Sequence, residues 1–215
     1  MAYDAILFDN DGVLTRPTPT AVHRAAVRAA FAEFDVEPTT EAVDAVIHGG
    51  LSRIRAVCSL FDLDHETFWP RHEANAAAAQ RAAIERGEKT LYEDVDALYD
   101  VDRPLGVVSN NQHETIETIV DHWELHELFT VATGREPSVE GFRHRKPSAH
   151  YLESAIDEIG GESVLYVGDS NVDIVAANRA GVDSAFVRRP HRTEYELVAD
   201  PTYEVESLDA IAALC

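Results

Sequence analysis

Lysine is what this chain most conspicuously lacks. Of 18 basic residues only Lys89 and Lys146 are lysine, and 39 aspartates and glutamates bring the formal charge to −21. Such a balance makes DNA, RNA and acidic membranes poor partners, because their phosphates would be repelled rather than neutralised. Long apolar runs are missing too. None approaches the roughly 20 residues needed to cross a bilayer, and Met1 leads almost directly into an apolar block with no charged-then-apolar signal segment before it. The expectation is a soluble, cytoplasmic protein. Cysteine is nearly absent: Cys58 and Cys215 show neither metal spacing nor a partner pattern, and are expected as free thiols. An acidic, lysine-poor surface suits a halophilic interior, where the Debye length shrinks to about 3 Å at 1 M salt and self-repulsion is screened.

What is present reads as a regular α/β protein. At 215 residues and 45% hydrophobic content, the chain can form one good core and a second small one. The opening segment "YDAILFDNDG" carries a short apolar block, Ala5 to Phe8, of the kind buried on both faces of a sheet. Further strands are expected at 104–109, 128–133, 164–169 and 184–189. Amphipathic segments alternate with them. Ile116, Ile119, Val120 and Trp123 share one helical face, "PSAHYLESAIDEIGG" begins with Ser148 as an N-cap, and Gly160 and Gly181 sit where helices should stop. Strand alternating with helix predicts a doubly wound, Rossmann-like parallel sheet. Asp9 and Ser109 each end a strand, yet 100 positions separate them, far too many for one crossover. The intervening sequence reads as helices. The predicted organisation is therefore an α/β core of residues 1–14 and 89–215 with a helical cap domain inserted at 15–88.

Ligands of open α/β sheets bind at the carboxyl ends of the strands, and there the chemistry-bearing residues collect. The first strand ends in Asp9 and Asp11, the second in Ser109-Asn110-Asn111, and the fourth in "GDSNVD" with Asp169 and Asp173. Lys146 lies after the third. Each has a bland counterpart: a turn, a helix cap, an acid at a helix N-terminus, a surface charge. Two carboxylates two residues apart at a strand end repel each other and need a metal, a proton or a chemical role. Mg²⁺ is a suitable resident because it takes oxygen ligands and keeps several waters, so a few carboxylates and a phosphate suffice. A retained lysine in a lysine-poor chain also stands out, as a compact point charge for phosphate.

The stretches "FDNDGVL", "VVSNN", "RKPS" and "YVGDSNVDI" closely resemble the four ordered motifs of the haloacid dehalogenase superfamily, and the helical insert resembles its C1-type cap. The likeness is strongest to its phosphoglycolate-phosphatase-like members. It implies Asp9 as nucleophile and Asp11 as general acid and base. Ser109 and Asn110 would hold the transferring phosphoryl group, which Lys146 would neutralise. Mg²⁺ would sit on the Asp9 carboxylate, the Asp11 backbone carbonyl and the Asp169 carboxylate, with Asp173 orienting metal-bound water. The implied activity is phosphate release from a small phosphorylated metabolite through an aspartyl phosphate. A β-phosphoglucomutase-like sugar-phosphate mutase shares these motifs and stays open as an alternative. A 2-haloacid dehalogenase fits less well, since those members lack an acid at the position of Asp11. A catalytically silent binding module is disfavoured because every catalytic position is filled. Specificity is expected in the cap, where "HGGLSR" could present His48 and Arg53. Arg16, just after the first motif, suits a substrate with a second anionic group. Oligomeric state is not legible.

Overall fold

The computed structural model describes residues 3–214. Six strands form one fully parallel sheet: β1 (Ala5–Phe8), β2 (Leu105–Gln112), β3 (Val131–Arg135), β4 (Val164–Gly168), β5 (Asp183–Val187) and β6 (Tyr203–Val205). Their spatial order is β3-β2-β1-β4-β5-β6. The chain builds outward from β1 to β3, then returns to the other side of β1 at β4, which makes the β1/β4 edge the topological switch point. All four residues of β1 are fully buried, as a central strand covered on both faces requires. Ala5 and Leu7 pack in one cluster with Val108, Tyr166, Leu152, Ala155, Ala176 and Ala177. That cluster carries residues of α7 (His150–Ile159) and α8 (Asn171–Ala180).

Register places the ends of β1 and β4 at a common level. Phe8 pairs with Val107 on one side and Val167 on the other. Asp9 and Asp169 directly follow the ends of β1 and β4. Ser109 lies within β2, two residues beyond its last pair with β1, and β2 runs past its expected end at 109 to Gln112. An irregularity in the β2–β3 pairing between Val108 and Gln112 bends the strand where Ser109 and Asn110 sit.

The chain divides into two compact units. The first comprises residues 1–17, 90–135 and 143–215, and the second residues 18–89 together with 136–142. The second unit is helical: α1 (Thr20–Ala32), α2 (Thr40–His48), α3 (Leu51–Leu60) and α4 (His65–Glu85). Its core joins Val27, Phe31, Val43, Val46, Ile54, Val57, Phe68 and Trp69, the apolar faces of those four helices. Residues 136–142, expected in the α/β core, cluster instead with the helices. The Phe142 ring stands edge-on to Trp69 at 5.1 Å. Cys58 is a free, buried thiol in the same core, and burial pushes it up to about 11. Cys215 lies outside the described residues. Among the described residues no helix is long and apolar enough to cross a membrane.

Candidate active site

Asp9 follows β1 directly, its N–H donating to the Val167 carbonyl at 2.8 Å. Its Oδ1 lies 2.8 Å from the Lys146 ammonium, which also stands 2.7 Å from Asp173 Oδ1. Lys146 is only 2% exposed. Its Nζ donates further to the Tyr166 hydroxyl at 2.6 Å and the Val108 carbonyl at 3.1 Å, and Tyr166 donates in turn to that carbonyl. The ammonium thus bridges two carboxylates deep at the sheet edge. Burial works against its charge, but Asp173 and Asp9 hold its pKa well above the usual lysine value.

Asp9, Asp169 and Asp173 are all buried, and one carboxylate oxygen from each falls within 4.8 Å of the others. Burial pushes Asp9 up to about 7, with Asp173 and Asp169 adding to it and Lys146 opposing. Asp169 is raised by burial and by Asp173, against the pull of Arg192. Three oxygen donors crowded with an excess of negative charge suit a hard divalent cation such as Mg²⁺. The backbone keeps this space clear. A Cβ at Gly12 would lie 2.2 Å from Asp169 Oδ2, and one at Gly168 would lie 2.2 Å from the Asp173 Cβ. Gly12 also adopts φ +85°, which L side chains resist.

Asp11 sits apart from this group. It is half-buried, and its carboxylate accepts from Asn10 Nδ2 at 3.1 Å, Thr15 Oγ1 at 3.2 Å and Asn111 Nδ2 at 3.1 Å. Among the described side chains the acidic ligand cluster excludes it, so any role for Asp11 in holding a metal falls to its carbonyl. Ser109 is buried and its Oγ accepts from the Asn111 N–H at 3.2 Å. The Asn110 side chain is engaged within the protein. Its amide spans the Lys146 backbone, accepting from the N–H at 2.8 Å and donating to the carbonyl at 3.1 Å. Both polar ends of the side chain are thereby committed to positioning Lys146. Asp173 combines the bland and the functional readings: while Oδ1 meets Lys146, Oδ2 accepts from the Ser170 N–H at 3.1 Å and from its hydroxyl, capping α8.

Of the remaining expected residues, Arg16 is exposed, its guanidinium 5.0 Å over the Tyr92 ring. His48 ends α2 and Arg53 lies in the first turn of α3. Both are exposed residues of the helical unit. Sequence reading passed over His191 and Arg192, which donate to Asp169 Oδ2 from Nε2 at 2.7 Å and Nε at 2.9 Å. The signal was available. "RRPHR" at 188–192 packs four basic residues into five positions of a strongly acidic chain.

Fold and cluster together define an α/β protein with an oxygen-rich, lysine-bridged acid site at the switch point of a parallel sheet. The family model for haloacid dehalogenase-like hydrolases matches residues 6–187, and the chain belongs to that family. It is 31% identical over 101 residues to the pyrophosphatase PpaX of Bacillus cereus strain AH820, covering 46% of this chain and 45% of that protein. It is also 31% identical over 107 residues to an (S)-2-haloacid dehalogenase of Pseudomonas putida, covering 49% and 45%. The matched stretch thus spans just under half the length of these curated relatives. CbbY from Rhodobacter sphaeroides, solved in complex with phosphate, shares the fold with a TM-score of 0.70, at 20% identity over 97% of this chain and 96% of that one.

Proposed function

We propose that the protein is a phosphatase acting on a small phosphorylated metabolite, with Asp9 as the nucleophile and Asp11 as the general acid and base. The observation that carries this reading is the contrast between the two acids. Asp9 is buried against Lys146 beside two further carboxylates, whereas Asp11 is half-buried and held by three side-chain donors. One environment suits a nucleophile screened by cations, the other a group that exchanges protons with substrate and water. The pair also favours phosphoryl transfer over dehalogenation, since the resemblance associates the dehalogenases with no acid at the position of Asp11.

Asp9, Asp169 and the Asp11 carbonyl would hold Mg²⁺, with Asp173 beside it, and the bound ion would neutralise charge between Asp9 and the phosphate dianion. In the first step an Asp9 oxygen bonds to phosphorus, the bond to the leaving oxygen breaks, and Asp11 gives that oxygen its proton. In the second, Asp11 takes a proton from water as the water attacks phosphorus. The bond to Asp9 breaks, inorganic phosphate leaves, and Asp9 is restored. Ser109 would donate to a phosphoryl oxygen, and Lys146, fixed by Asn110 and Tyr166, would supply local positive charge. The helical unit would act as the cap that selects substrate, with His48, Arg53 and Arg16 as candidate contacts. We place this activity in the cytoplasm of a salt-accumulating cell.

Asp9→Asn is expected to be inactive on every substrate, because an amide is a very poor nucleophile. Asp11→Asn should lose about 10²–10⁴-fold on an alkyl phosphate, whose leaving group needs a proton. On nitrophenyl phosphate it should give a rapid-quench burst of nitrophenol and a phosphorylated Asp9 peptide by mass spectrometry. Equal loss on both substrates, with neither burst nor adduct, would remove Asp11 from its role. Bisphosphate-dependent isomerisation of a hexose phosphate, with little phosphate released, would replace the phosphatase reading by the mutase one.

A further inference from the structure

The run "RRPHR" is built as a support for one carboxylate. It leaves β5 and forms a single 3₁₀ turn over Pro190–Arg192. Arg188 ties the turn from one side, its Nη1 donating to the carbonyls of Arg192 at 2.8 Å and Tyr195 at 3.1 Å. Arg189 secures it from the other. It is buried, makes two contacts to the Asp94 carboxylate at 2.6 and 3.0 Å, and donates to the Val13 carbonyl at 2.7 Å. Val13 lies two residues after Asp11, so the same arginine anchors the turn to the loop that follows β1. The paired geometry gives Arg189 both strength and a fixed orientation.

The two remaining residues of the run point their donors at Asp169. His191 Nε2 and Arg192 Nε both donate to Oδ2, at 2.7 and 2.9 Å. The Tyr92 hydroxyl stands 3.5 Å from the other nitrogen of His191, and the Arg192 guanidinium lies 4.5 Å over the Tyr195 ring. Both donors thus have neighbours that limit their rotation. Among the described residues neither contacts any other carboxylate, and both meet the same oxygen of Asp169.

We infer that His191 and Arg192 are positioning residues for a divalent cation: by holding Asp169 through Oδ2 they leave Oδ1 as the oxygen open to the ion, beside Asp9 and Asp173. Asp169 follows a strand end and would otherwise rotate about two side-chain torsions. Two donors on one oxygen remove that freedom before the ion arrives, as outer-shell partners of metal ligands generally do. This rests on the reading of the acid cluster as a metal site, but its test does not depend on phosphate release.

The experiment is Mn²⁺ binding to the substrate-free protein, followed by electron paramagnetic resonance and calorimetry. His191→Ala and Arg192→Ala are each expected to weaken binding by about 10–100-fold, the range for loss of an outer-shell partner. His191→Gln, which restores an N–H donor of similar reach, should recover most of the loss, and melting in EDTA should show each variant folded. Equal or tighter binding in either variant overturns the assignment for that residue, tighter binding marking it as a competitor the ion must expel. A parent protein that binds no Mn²⁺ overturns the inference as a whole. Failure of the phosphatase reading alone would appear differently, as normal ion binding with no phosphate released from any substrate.

Discussion

Both lysines turn out to be buried, Lys146 at 2% exposure and Lys89 at 0%, so the surface carries none among the described residues. Scarcity singled out Lys146 as a functional point charge, but the same argument applies to Lys89, where it leads elsewhere. In the helical unit the Lys89 ammonium donates to Thr18 Oγ1 at 2.9 Å and Gln80 Oε1 at 3.2 Å. Thr18 itself donates to that Gln80 oxygen at 3.0 Å. Lys89 thus ties the two ends of the 18–89 segment together through a buried polar group. Charge-assisted bonds of this kind are worth about 1.5–3 kcal/mol each, and their loss leaves buried acceptors unsatisfied. Lys89→Met is therefore expected to lower stability by about 3 kcal/mol in urea denaturation. An unchanged midpoint would show that the cluster contributes no stability. The common thread of the two lysines is burial: a compact ammonium fits where an arginine fork does not.

Elements were legible where local chemistry decides them. The helices of the 18–89 segment follow their apolar periodicity, and α7 and α8 stop at Gly160 and Gly181, which adopt φ +76° and +73°. Ser148 falls just ahead of its expected place: Ala149 is the N-cap of α7, while the Ser148 hydroxyl accepts from the His150 N–H at 3.3 Å. The short elements were missed. β6 has three residues and α6 (Val139–Arg143) has five, too few for either periodicity to register. Packing rather than propensity maintains them. A cap that sequence alone does not weight is Thr39, whose side chain accepts from the Ala42 N–H at 3.2 Å at the start of α2. Thr39→Ala is expected to cost about 1 kcal/mol by denaturant titration, with Thr39→Ser retaining most of it. Equal loss in both variants would point to the methyl group instead of the cap.

At the scale of the whole molecule the governing quantity is the −21 charge. Mutual repulsion of that size opposes the compact state until salt screens it. The surface ion pairs contribute little, since pairs such as Arg24–Asp44 and Arg86–Glu88 are solvent-exposed and screened by salt. The melting temperature is therefore expected to climb between 0.1 and 2 M KCl, as about the range over which the Debye length falls below atomic contact distances. A flat profile would separate the acidic surface from any salt adaptation.

Sequence alone was enough for the parallel sheet, for the helices of the 18–89 segment and for the ends of β1 and β4 that Asp9 and Asp169 follow, because each follows from periodicity, caps and breakers acting over a few residues. It also marked the acids and Lys146, since motif spacing is a local property. Tertiary structure alone decided what each polar atom does. That the Asn110 amide oxygen meets the Lys146 N–H depends on a partner 36 residues away. Whether Asp169 is held depends on a turn 22 residues further on. The pairing of Arg189 with Asp94 spans 95 positions. A hydrogen bond requires donor and acceptor within about 3 Å, and only the folded chain brings residues so distant in sequence to that range.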